Sequence, residues 1–226
     1  MMYEGYLKYD LPTKFWSWII VLAYTGILTI IFIKRMVKAD RNFPSQRFLY
    51  RSFAGVFICY IINRVFFILS DFERDLNDTT ILHYQFVLFA YIFSSLAFLN
   101  LLYFGEKFII KKTKFMLSYI TIVVLVIELI LVFFPEMFLL ARAISYGLSY
   151  ALMMLVLILF IRIIIKSTGA IRTDFIITLI GFVIIAAGAI LETDALLTTG
   201  IIPPWLTPLC FASGASIVTY GLRSKA

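Results

Sequence analysis

The chain has 226 residues, 62% of them hydrophobic and 15% charged, with a formal net charge of +7 and a mean hydropathy of +0.99. Its 20 basic and 13 acidic residues stand in short runs between long apolar stretches, too few and too segregated to cover a water-soluble globule. That pattern describes a membrane protein and excludes soluble nucleic-acid binders, secreted disulfide scaffolds and disordered tails.

An apolar run of roughly 17 to 25 residues crosses about 30 Å of hydrocarbon as a helix, and the sequence contains seven such runs. The first, Phe15–Ile33, follows a mixed-charge opening segment and carries no small-residue cleavage site after it, so it reads as a retained span and not as a cleaved signal. Ser52–Ser70, Leu82–Phe104 and Phe115–Phe134 follow. Pro135 and Glu136 then break the fourth run from apolar Met137–Ala141 and from the fifth, Ala143–Ile165. Phe175–Leu191 and Leu206–Leu222 complete the set. Backbone groups find no water in the bilayer, and the runs are about twice the length of barrel strands, so each is expected to be helical. The expected fold is all-α: a polytopic membrane protein forming a single seven-helix transmembrane domain over residues 1–226.

Orientation follows from lysine and arginine, which short cytoplasmic loops retain. The connection after the first run holds Lys34, Arg35, Lys38, Arg41, Arg47 and Arg51, and the one after the third holds Lys107, Lys111, Lys112 and Lys114. Arg162, Lys166 and Arg172 flank the connection after the fifth, and Arg223 and Lys225 follow the seventh, which places 15 of the 20 basic residues on one side. The opposite connections carry Asp71, Glu73, Asp75 and Asp78 against Arg74, then Glu136, then Glu192 and Asp194. The amino end is therefore expected outside and the carboxyl end in the cytoplasm of a cell (plasma) membrane. The positive charge is an orientation signal and an attraction to anionic headgroups, with no nucleic-acid partner implied.

A weak internal echo links Ile30–Lys38 (IIFIKRMVK) to Ile158–Lys166 (ILFIRIIIK), and Gly55 and Gly181 occupy similar offsets in the second and sixth runs. Runs one to three and five to seven also share their order of directions, which fits a parallel 3+1+3 pseudo-repeat.

Ionisable side chains in hydrocarbon cost at least about 2.5 to 3.5 kcal/mol each, so each one marks a candidate site. Arg64 lies 13 residues beyond Arg51 at the inner edge of the second span, and Glu128 lies 13 beyond Phe115, on spans that run in the same direction, at a common depth of about 20 Å. Opposite charges at one level are expected to pair, as an interhelical clamp or as a ligand or proton site. Around that depth Tyr60 and Asn63 accompany Arg64, His83 and Gln85 open the third run, and Arg142, Tyr146, Ser149 and Tyr150 descend the fifth. Glu192 and Asp194 close the sixth. The candidate ligand-binding residues are accordingly Tyr60, Asn63, Arg64, His83, Gln85, Glu128, Arg142, Tyr146 and Glu192. If they converge, they line a cavity open to the outside, since the inner half offers little beyond Asn100.

Runs six and seven are rich in small residues: Gly181, Ala186, Ala187, Gly188 and Ala189, then Ala212, Ser213, Gly214, Ala215 and Ser216. These permit close helix packing in a pattern looser than GxxxG. Trp16, Trp18 and Trp205 read as interfacial anchors. Cys59 and Cys210 fall inside spans, where small buried hydrophobes are the common role, so no disulfide is expected. One histidine and no cysteine pair exclude a multi-histidine zinc or haem site. Without HExxH, GxSxG or a phosphate loop, and with extramembrane segments too short for a catalytic domain, an enzyme is the weaker expectation, and no cofactor or metal is expected.

Seven spans with the amino end outside resemble, in topology, the microbial rhodopsins and the G-protein-coupled receptors. Leu206–Leu222 lacks the lysine that a retinal Schiff base needs. SWEET-type sugar carriers share the size and topology, but their characteristic proline is missing from Phe15–Ile33 and Ala143–Ile165. The expectation drawn from the residues is a receptor-like or sensory protein binding a small molecule or lipid in the outer half of the bundle. A small transporter or channel with an Arg/Glu site is the first alternative, and an interaction subunit of a membrane assembly the second. The expected partners are the lipid bilayer, such a ligand, and a second copy or a cytoplasmic protein at the basic inner loops.

Overall fold

A computed structural model describes residues 3–39, 44–77, 81–192 and 202–223. Arg41, Asp78, Asp194 and Lys225, which the charge reading uses, lie outside the described residues. Among the described residues there are seven α-helices: α1 (Tyr3–Lys38), α2 (Pro44–Asn77), α3 (Ile81–Phe108), α4 (Met116–Leu131), α5 (Phe138–Lys166), α6 (Gly169–Leu191) and α7 (Leu206–Gly221). Single 3-10 turns at Lys111–Thr113 and Pro135–Met137 precede α4 and α5. Each predicted apolar run falls on one of these helices. Five of them, α1, α2, α3, α5 and α6, are long and apolar enough to cross a membrane. The other two have 16 residues each, about 24 Å at about 1.5 Å per residue.

The surface fits an apolar surrounding. Leu139 is 79% exposed, Ile165 74% and Phe133 72%, a display of large apolar side chains that water solvates poorly and lipid solvates well. Hydroxyl groups inside the helices are satisfied locally: Thr25, Thr121, Thr178 and Thr219 each donate to the carbonyl four residues back, at 2.7 to 2.8 Å.

By contacts the chain divides into two compact units, residues 29–159 and residues 1–28 with 160–226, a division that cuts α1 after Leu28 and α5 after Leu159. In the unit of residues 29–159, α2 and α3 form an antiparallel pair. Its rungs recur every seven or eight residues along α2. Gly55 lies against Asn100, where a Cβ would come within 3.0 Å of the amide oxygen. Asn63 Nδ2 donates to Ala90 O at 2.7 Å and to Ser94 Oγ at 2.9 Å. His83 Nδ1 sits 2.8 Å from Ser70 Oγ and 3.0 Å from Ser70 O. Between the rungs Phe66 stacks on Phe89 and Phe93 at 5.3 and 5.7 Å. The remaining α1 residues of this unit pack through Phe32, which is fully buried and stacks on Phe53 at 5.5 Å.

The entry to α4 needs help from another helix. Lys114 and Phe115 both have left-handed backbone, with φ of 47° and 63°, and Phe115 at the N-cap has no side-chain acceptor for the unsatisfied N–H groups. Glu106, at the end of α3 and only 3% exposed, supplies one. Leu117 N–H donates to Oε1 at 2.8 Å and Ser118 N–H to Oε2 at 2.9 Å, and the Ser118 hydroxyl donates to Oε2 as well. A carboxylate at the positive end of a helix also complements its dipole.

In the other unit α6 and α7 run antiparallel with their backbones in close approach. A Cβ at Gly181 would lie 2.7 Å from Gly214 O, and one at Gly214 would lie 2.7 Å from Gly181 O. Seven residues to either side, Gly188 faces Cys210 at 2.9 Å and Gly221 faces Asp174 O at 2.8 Å. The small residues of the sixth and seventh runs therefore serve packing. The α1 residues of this unit meet α7 through Trp18 against Phe211, centroids 6.0 Å apart, and through Tyr24 Oη, 2.7 Å from Ser216 Oγ.

Gly214→Val forces its branched side chain into the α6 backbone and is expected to destabilise by about 1 to 3 kcal/mol. Gly147→Ala, with no atom within 4 Å of the new Cβ, is expected to be neutral or slightly stabilising by up to about 1 kcal/mol. Thermal unfolding of the detergent-solubilised protein, followed by tryptophan fluorescence, measures both.

Candidate functional site

Helix α4 presents one narrow buried stripe, Ser118, Thr121, Glu128 and Leu131, at the three, seven and three spacing of a single helix face. The rest of its surface is largely exposed and apolar, including Tyr119 at 65% and Val123 at 57%. Glu128 therefore points inward from a helix whose other faces are exposed and apolar, and it is 1% exposed. From α5, Ser145 Oγ donates to Glu128 Oε1 at 2.8 Å. From α3, Ser95 faces the same carboxyl group. Both serines are fully buried at 0%. Among the described residues, Glu128 Oε2 and Ser95 Oγ have no hydrogen-bond partner.

The expected contact between Arg64 and Glu128 is not formed. Glu128 takes its hydrogen bond from Ser145, while Arg64, 5% exposed, lays its guanidinium over Phe67 on its own helix, 5.5 Å from the ring centroid. Equal depth fixes height along the bundle but not the direction in which a side chain leaves its helix. Helix α3 packs against both α2 and α4, so it stands between the two helices that carry the charges.

The other candidates separate into local groups. Asn63 is spent on the α2–α3 rung with Ala90 and Ser94, one turn from half-buried Tyr60. His83 is spent on the rung with Ser70, and half-buried Gln85 follows two residues later on α3. Arg142 and Tyr146 do come together: Nη2 donates to the Tyr146 hydroxyl at 3.2 Å, and the guanidinium lies 5.3 Å from the ring centroid. Tyr146 continues to Tyr91 at 5.5 Å and to Tyr150 at 6.4 Å between centroids. The result is a row of three tyrosines with one guanidinium, running from exposed Tyr150 to buried Tyr91. Beside it lies an apolar cluster of Val87, Leu88, Leu131, Val132, Phe138 and Ala141. Glu192 belongs to the other unit, half-buried at the C-cap of α6.

Four residues of these constellations carry no sequence signal of their own: Ser95, Ser145, Tyr91 and Glu106. A serine in an apolar run usually bonds its own helix backbone, and only the packing of α3, α4 and α5 turns two of them onto one carboxyl. Glu106 sits among basic residues at a helix end, where a solvated ion is the common reading.

No family model, no curated protein and no solved structure matches the chain. The geometry is therefore the whole basis for a functional reading.

Glu106→Ala removes the acceptor for two buried N–H groups and a hydroxyl, and is expected to lower stability by about 2 to 3 kcal/mol. Glu106→Gln retains one acceptor oxygen but loses the charge-assisted bonds, and about 1 to 2 kcal/mol is expected. Denaturation midpoints of the two variants, ordered Ala below Gln below the parent chain, check the assignment.

Proposed function

We propose that the chain is a receptor-like, sensory protein of the cell (plasma) membrane that binds a small molecule or a lipid in the outer half of the α2–α5 helices. In this reading the amino end is outside, the carboxyl end is cytoplasmic, all seven helices span, and α1–α3 and α5–α7 are parallel repeats around α4. Support for the repeat comes from the two antiparallel pairs, α2 with α3 and α6 with α7, each with a glycine in close contact on its first helix, Gly55 and Gly181.

The observation that carries the sensory reading is the guanidinium and tyrosine row of Arg142, Tyr146, Tyr150 and Tyr91. It offers a cation for an anionic group, hydroxyls for hydrogen bonds, and ring faces for an apolar body, graded from exposed to buried. A site of mostly aromatic lining with a few convergent polar groups is the usual form of a small-molecule site. The opposite end of the α2–α3 pair favours sensing over permeation. Asn100 is engaged with its own helix at Leu96 O, 2.9 Å away. Beyond it Phe48 packs against Tyr103, Phe104 and Phe108 at 5.4 to 6.3 Å, an apolar closure. Lys107 covers Phe48 from 4.7 Å, within a basic surface suited to anionic headgroups or a cytoplasmic partner.

Thermal-shift titration with anionic amphiphiles, a fatty acid and a lysophospholipid among them, is expected to give a saturable rise. Arg142→Ala is expected to weaken the apparent affinity by about 5- to 30-fold, the loss of roughly 1 to 2 kcal/mol of charge-assisted contact. An unchanged titration in Arg142→Ala rules out this site. Proton or solute uptake in proteoliposomes that Glu128→Gln abolishes replaces the sensory reading by transport. Impermeant thiol labelling of a cysteine placed at Asp71 is expected from the outside, and labelling only from the cytoplasmic face reverses the orientation.

A further inference from the structure

We infer that Glu128, Ser95 and Ser145 form a binding site for a small monovalent cation, Na+ in the first instance, enclosed by α3, α4 and α5. The inference does not rest on the sensory reading, because it concerns different residues from the tyrosine row. Three helices each bring one oxygen-bearing side chain to a single point. All three side chains are at most 1% exposed. One carboxylate oxygen is engaged by Ser145 at 2.8 Å, while Glu128 Oε2 and Ser95 Oγ, on neighbouring helices, are buried without a hydrogen-bond partner among the described residues. Native interiors leave few such atoms, and a bound ion is one of the recognised reasons for those that remain. A carboxylate oxygen and a serine oxygen that face one another from neighbouring helices are hard oxygen ligands of the kind a small monovalent cation takes.

Charge selects the ion. A single carboxylate balanced by one positive charge leaves the site neutral, the only state that an apolar interior accepts at low cost. A divalent ion would leave the site with excess positive charge and usually recruits several carboxylates. Carboxylate and hydroxyl oxygens are hard ligands, which excludes softer transition metals. The buried cation Arg64 does not fill the role, because it lies over Phe67 and Glu128 takes its bond from Ser145. Sequence spacing gives no hint of the site, since its ligands lie 33 and 17 residues from Glu128 along the chain.

The test is thermal unfolding of the full chain in detergent at constant ionic strength, with NaCl, KCl or choline chloride. Saturating Na+ is expected to raise the Tm on the order of 4 °C over choline, with a smaller rise from K+. Glu128→Gln and Ser95→Ala are each expected to abolish the Na+ increment, and Ser145→Ala to reduce it, whatever their effect on the starting Tm. If Glu128→Gln does not fold, radioactive Na+ binding to the parent chain and to Ser95→Ala decides instead, with at least a tenfold weaker affinity expected in the variant. Equal shifts from Na+, K+ and choline, or an undiminished Na+ increment in Ser95→Ala, overturn the proposal. A Tm that responds to pH through Glu128 but not to Na+ also overturns it, and leaves a proton as the occupant.

Discussion

A polar group that leaves water for an apolar surrounding must find its partners inside the protein, and most of this fold follows from meeting that demand. Hydrogen bonds that would be optional on a soluble surface become conditions of folding here, because the alternative is an unsatisfied group costing several kcal/mol. Backbone groups meet the condition by forming helices. Threonine hydroxyls meet it by returning to carbonyls four residues back. Asparagine, histidine and serine meet it across helices, and those crossings become the α2–α3 rungs.

The two antiparallel pairs solve the same packing problem with different means. Without a hydrophobic force between helices in lipid, association relies on close contact and on interhelical hydrogen bonds. The α6–α7 pair uses contact: Gly181 and Gly214 let each backbone rest against the other, and the pattern repeats seven residues away at Gly188 and Gly221. The α2–α3 pair uses bonds from Asn63 and His83, with one glycine, Gly55, making room for Asn100. Seven residues is about two helical turns, so both solutions keep their contacts on one face.

Carboxylates show how context divides one chemistry into two roles. Glu106 and Glu128 are both buried, and both belong to the packing of α3 with α4. Glu106 is saturated by two backbone N–H groups and a hydroxyl, which makes it a fixed anchor for the start of α4. Glu128 receives one bond at one oxygen and keeps acceptor capacity unused. That difference in saturation, more than burial, separates the clamp at the start of α4 from the carboxylate proposed as a ligand.

Length and hydropathy alone determined the helices: every apolar run, from Phe15–Ile33 to Leu206–Leu222, falls on an α-helix, because a helix satisfies its backbone groups within one segment where water is absent. The close packing of the sixth and seventh runs was equally legible from Gly181, Gly188 and Gly214, since a missing side chain allows close approach whatever the register. Partnership across helices was not legible. Arg64 and Glu128 share a depth in the sequence, yet depth is one coordinate, and the rotation of each helix about its axis, set by all its neighbours together, supplies the other. Only the tertiary structure turned Glu128 toward Ser95 and Ser145 and gathered Tyr91 to Arg142 and Tyr146, because contacts between residues far apart in the chain depend on which helices are adjacent and which faces they present.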